Sequence, residues 1–141
     1  MSERHMLDII RDQQPVTLPP TATVKEACRR MKERRVGAVL VTESGNRLVG
    51  IFTGRDAICR VLAEGKSAAR THLSEVMTRK PTCMPPGQTA IEALRLMQDG
   101  GFRHIPITEE GRVVGVVSRG DFRGLEKARL DDETHIFERL W

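Results

Sequence analysis

"VGIFTGRD" (residues 49–56) returns sixty-five positions later as "VGVVSRGD" (residues 114–121). Each phrase is a Gly, two apolar residues, a hydroxyl residue, two spacers and an Asp. Alone, such a phrase reads as a strand running into a capped helix. Twice, it asks whether its surroundings repeat as well. They do. "LPPTATVKEACRRM" (18–31) lies over "MPPGQTAIEALRLM" (84–97) at an offset of 66. Pro19, Pro20, Thr23, Glu26, Ala27 and Met31 match Pro85, Pro86, Thr89, Glu92, Ala93 and Met97. One deletion near a turn moves the offset to 65, and "RLVGIFTGRD" (47–56) then lies over "RVVGVVSRGD" (112–121). Two copies are too few for a solenoid and suit a pseudo-symmetric pair.

Each copy predicts the same elements. Thr23 caps a helix, and Glu26 three residues on completes a capping box. Val24, Ala27, Cys28 and Met31 follow at i, i+3, i+4 and i+7, one helical face. Thr89 and Glu92 repeat the cap, with Ala90, Ala93, Leu94 and Met97 behind them. A β-rich run follows, "VGAVLVT" (36–42) or "FRHIPIT" (102–108), then turn residues "ESGN" or "EEGR". A second apolar run, "LVGIF" or "VVGVV", completes a hairpin. The hydroxyl residue then opens another helix, whose face is Ala57, Ile58, Val61 and Leu62 in the first copy and starts with Phe122 and Leu125 in the second. With a short strand in front ("VTL" 16–18, "TCM" 82–84), each copy reads β-α-β-β-α, and "EGKSAARTH" (64–72) links them.

Composition limits the function classes. The 141 residues are 39% hydrophobic, enough for a packed interior, and no apolar run approaches the roughly 20 residues of a membrane span. The N-terminal "MSERHMLDIIRDQQ" carries no apolar signal core, so a soluble, cytoplasmic protein is expected. Three cysteines without a CxxC, and four histidines without ligand spacing, suggest neither a disulfide framework nor a metal site. The net charge of +4 gathers partly in "RRMKERR" (29–35), either a solvated helix face or a patch for an anionic partner. Aromatic residues are only 4%, which leaves little for stacking on single-stranded nucleic acid. "EGKS" lacks the first Gly of a phosphate loop, because Arg60 stands there. "RGD" (119–121) is part of the repeated phrase, and its counterpart "GRD" scrambles the order. No catalytic set recurs, so no enzyme and no catalytic cofactor is expected.

The doubled unit ending in Gly-apolar-apolar-Thr/Ser-x-x-Asp resembles the CBS domain, named after cystathionine β-synthase, and two copies look like a CBS pair, or Bateman module. The likeness covers roughly residues 8–128 and is nearest to small stand-alone bacterial CBS-pair proteins. It implies an α+β fold in which two βαββα repeats (8–65 and 75–128) pack sheet to sheet as one disc, with a helical extension at 129–141. It also implies clefts for AMP, ADP, ATP, S-adenosylmethionine or NAD(H), and a homodimer formed through the helices of both repeats.

Within that resemblance the Asp accepts ribose hydroxyls, while the Thr/Ser hydroxyl and the helix start face phosphate. The residue types suit the task. A carboxylate is acceptor-only and takes two hydroxyl donors at once. A helix N-terminus offers N–H groups and partial positive charge. The same "TGRD" and "SRGD" are also capping boxes in which Asp serves its own helix. The resemblance makes each cleft a joint property of the repeats. One site joins Thr78, Cys83, Phe102, Arg103 and His104 to Thr53, Arg55 and Asp56. The other joins Asp12, Thr17, Val36, Gly37 and Ala38 to Ser118, Arg119 and Asp121. Arg55, Arg103 and His104 would add positive charge to the first site. Asp12 would repel phosphate from the second, so the first is expected to bind better.

The expected function is a regulatory module that senses an adenosine ligand and signals to an unknown partner protein. The alternative is a nucleic-acid-binding or transcription-linked module using the basic helix 29–35. In the C-terminal "LDDETHIFERLW" (130–141), Ile136, Phe137, Leu140 and Trp141 share one helical face, for self-packing or for a partner.

Overall fold

The computed structural model describes residues 5–122, so Leu125, the end of the second repeat and the extension at 129–141 lie outside the described residues. The elements in chain order are α1 (Met6–Ile10), β1 (Thr17–Leu18), α2 (Val24–Arg34), β2 (Ala38–Glu43), β3 (Arg47–Thr53), α3 (Gly54–Asp56) running into a π-helical stretch (Ala57–Leu62), α4 (Leu73–Val76), β4 (Thr78–Arg79), α5 (Ala90–Gly100), β5 (His104–Glu109) and β6 (Arg112–Ser118). They fall into two compact units. One comprises residues 14–81 with 111–113, and the other, among the described residues, 5–13 with 82–110 and 114–122.

In the first unit, β1 runs parallel to β2, β2 and β3 form an antiparallel hairpin, and β4 lies antiparallel on the far side of β3. Alternation of side chains puts Val39, Val41 and Phe52 into a core with Val24 and Ala27 of α2, all almost fully buried. Thr23 caps α2 by accepting from the Glu26 N–H at 3.2 Å. The helix ends at Arg35, whose φ of 54° is left-handed. The linker 64–72 is built into this unit, since the Val24 and Lys25 N–H groups donate to the Thr71 and Ala68 carbonyls. Val61 of the π-helical stretch is buried. Ile58 and Leu62 of the same stretch are 47% and 70% exposed.

In the second unit, β5 and β6 are neighbours, and α5 covers them with Ala90, Ala93, Leu94 and Met97. Thr89 and Glu92 make the full capping box, with bonds of 3.1 and 3.3 Å between backbone and side chain. "TCM" (82–84) forms only an isolated bridge, Met84 to Ile107, rather than a strand. Met6 and Ile10 of α1 belong to this unit's core, and the Met6 and Leu7 N–H groups donate to the Gln88 and Pro86 carbonyls. The mirror arrangement holds in the first unit. There α4, which opens the second repeat in sequence, packs Leu73 and Val76 into the core, and Leu73 N–H donates to the Ala22 carbonyl. A repeat counted along the chain and a unit packed in space are therefore different sets of residues.

Candidate functional site

The glycine of each repeated phrase is explained by this packing. A Cβ on Gly50 would stand 2.5 Å from the Met77 sulfur and 3.0 Å from the Thr78 carbonyl oxygen. A Cβ on Gly115 would stand 2.7 Å from Ile10 Cβ. In both copies the missing side chain lets the incoming segment cross β3 or β6 closely.

β3 ends at Thr53, whose extended backbone makes it the N-cap of the short helix that follows. Asp56 Oδ2 accepts from the Thr53 N–H at 2.9 Å and from Thr53 Oγ1 at 3.1 Å. Asp56 N–H donates back to Thr53 Oγ1 at 3.3 Å. The capping box is therefore real, and it uses one carboxylate oxygen. The other, Oδ1, lies 3.5 Å from Arg60 Nε. Arg60 Nη1 also donates to the Val76 and Met77 carbonyls, at 3.2 and 3.1 Å. Asp56 is buried, and Arg55 is exposed.

Around this turn the unit collects further candidates. Ala38 pairs with Thr53, Thr17 with Leu40, and Thr78 with Ile51. Thr17, Ala38, Thr53 and Thr78 thus stand at one end of the strands β1 to β4. Gly54 N–H donates to the Gly37 carbonyl at 3.1 Å, which holds Val36–Ala38 against the turn. Two first-turn N–H groups, those of Gly54 and Asp56, are in this way bonded inside the unit.

The second unit repeats the geometry. Ser118 N–H and Oγ donate to Asp121 Oδ2 at 2.7 and 3.3 Å. Arg119 N–H donates to the Arg103 carbonyl at 2.9 Å, and the Arg119 side chain is buried. Phe102, Arg103 and His104 therefore lie beside the Ser118 turn. Burial holds the His104 imidazole below its ordinary range, with Arg103 adding to the effect and Asp121 opposing it. Desolvation likewise raises the Cys83 thiol, against a hydrogen bond to Thr108 that lowers it. Asp12 is exposed, and next to it Gln13 Oε1 accepts from the Val116 N–H at 3.0 Å.

Thr17, Val36–Ala38 and Thr78 share a unit with Thr53, Arg55 and Asp56, and Asp12, Cys83 and Phe102–His104 share one with Ser118, Arg119 and Asp121. Arg60 escaped the sequence reading, although its i, i+4 spacing from Asp56 is the signal that finds it.

Comparison with known proteins agrees with this architecture. The CBS domain family model matches residues 8–62 and 73–127. The CBS domain-containing protein CBSCBSPB3 of Arabidopsis thaliana is 44% identical over 108 residues, 77% of this chain but only 19% of that protein. The chain therefore spans about a fifth of the length of that plant relative. The CBS domain-containing protein YhcV of Bacillus subtilis is 36% identical over 108 residues, 77% of this chain and 76% of that protein. A solved CBS domain protein of Pyrobaculum aerophilum, complexed with AMP, superposes with a TM-score of 0.79 at 24% identity, covering 91% of this chain and 98% of that one. Twice-matched along its length and folded as its relatives are, the chain belongs to the CBS domain family.

Proposed function

We propose that this chain is a regulatory module that binds an adenosine-containing ligand and signals by a change of conformation or assembly, without chemistry of its own. The observation that carries the reading is the Asp56 carboxylate. Its Oδ2 serves the helix cap, while Oδ1 faces only Arg60 among the contacts described and keeps capacity for ribose hydroxyls. Capping and ribose binding are thus compatible roles of one side chain. The family's known AMP complex shows this fold holding such a ligand in another protein.

AMP, ADP, ATP and NAD(H) share the half that Asp56 reads, and Arg55 supplies charge for their phosphates. Asp121 is the matching candidate in the second unit, with Asp12 as an unfavourable neighbour for phosphate. The ligand acts only through its different affinities for two states, and a homodimer is the assembly proposed to change. Calorimetric titration with AMP, ADP, ATP and NAD(H) tests the reading. Asp56→Ala is expected to abolish binding at the stronger site, and Asp121→Ala to affect the weaker one. Loss of all binding in Asp121→Ala with none in Asp56→Ala would reverse the ranking. No binding of any of the four by the wild type would sink the reading.

A further inference from the structure

We propose that Arg60 couples occupancy of Asp56 to the placement of residues 76–79, making it a positioning residue of the first unit. The inference rests on the ribose role given to Asp56 above. The geometry supplies the link. One guanidinium reaches Asp56 Oδ1 through Nε and the Val76 and Met77 carbonyls through Nη1. Nε and Nη1 belong to one rigid planar group, so they cannot move independently.

The segment so held leads directly into β4, where Thr78 pairs with Ile51 and Arg79 with Gly50. At Gly50 the segment passes β3 closely, so that a Cβ there would stand 3.0 Å from the Thr78 carbonyl oxygen. A displacement of Val76 and Met77 is therefore felt where the segment packs on β3 beside the site. A ligand hydroxyl on Oδ1 shares the oxygen that Arg60 faces, so ribose and guanidinium settle around it together. Arg60 lies one turn after Asp56, inside the π-helical stretch.

The test uses the full chain, AMP as probe, calorimetry for affinity and amide hydrogen exchange over residues 76–79. In the wild type AMP is expected to slow exchange in that segment. Arg60→Met should weaken AMP by about tenfold, the scale of one lost charged hydrogen bond, and remove the protection. Arg60→Lys should recover most of the affinity by restoring charge, but not the protection, since it lacks the fork. Arg60→Met with affinity and protection both intact overturns the proposal. A ligand-free arm separates this from the function itself. Asp56→Asn should speed exchange at 76–79 in the wild-type background and add nothing in Arg60→Met. That result in a protein that binds no AMP supports the lever and removes the nucleotide. An Asp56→Asn variant with unchanged exchange removes the lever, whatever AMP does.

Discussion

At the scale of single residues, the repeated phrase has a separate physical reason for each of its fixed letters. Gly50 and Gly115 admit a crossing segment, Thr53 and Ser118 cap, and Asp56 and Asp121 close the cap from the other side. Both glycines face an obstacle that cannot swing away: at Gly115 the branched Cβ of Ile10 at 2.7 Å, and at Gly50, beside the flexible Met77 sulfur, the Thr78 backbone carbonyl oxygen at 3.0 Å. Gly115→Ala and Gly50→Ala should therefore each destabilise by about 1–3 kcal/mol, as urea unfolding would show. His104 yields a pH prediction with a definite sign. Its folded-state pKa lies below the ordinary 6.5, so the folded protein binds fewer protons there than the unfolded chain. The His104 contribution is complete above about 6.5 and is lost as pH falls through the lower folded value. His104→Gln should flatten the fall in urea midpoint between about pH 7 and about pH 5.5. An unchanged slope would mean that other groups carry the acid sensitivity.

At the scale of elements, what could be read from sequence and what could not divide along physical lines. The helices α2 and α5 and both hairpins were legible, because caps, apolar periodicity and turn residues all point the same way. The short elements α1, α4 and β4 carry no such signal. They exist because tertiary partners satisfy them, such as the Gln88 and Pro86 carbonyls for α1 and β3 for β4. Thr53 and Asp56 were legible as a pair; Arg60 was hidden because its partners Val76 and Met77 are distant in sequence and offer only backbone. The two long helices also end differently. α5 stops at Gly101 with φ 72°, whereas α2 stops at Arg35 with φ 54°, where a side chain is strained. Arg35→Gly should stabilise by about 1 kcal/mol and Gly101→Ala should cost about as much. Thermal unfolding of the two variants would check the opposite signs.

At the scale of the whole molecule, each unit takes in a short helix from the chain at the start of the other repeat. Met6 is fully buried in a core otherwise built from residue 84 onward, apart from Ile10. Met6→Ala should therefore cost about 2–5 kcal/mol. Amide exchange should show the loss at residues 90–117 and spare β2 and β3; an effect centred on β2 and β3 would contradict the assignment. The arrangement also sets an order of events during synthesis. Met6 and Ile10 leave the ribosome well before their partners, which run from Met84 to Phe122. The stretch 14–81 holds nearly everything its own unit needs and can begin to fold while α1 waits. Helix α1 must stay unsatisfied until the second half is made, exposed meanwhile to chaperones and proteases, and only then does it close a long loop.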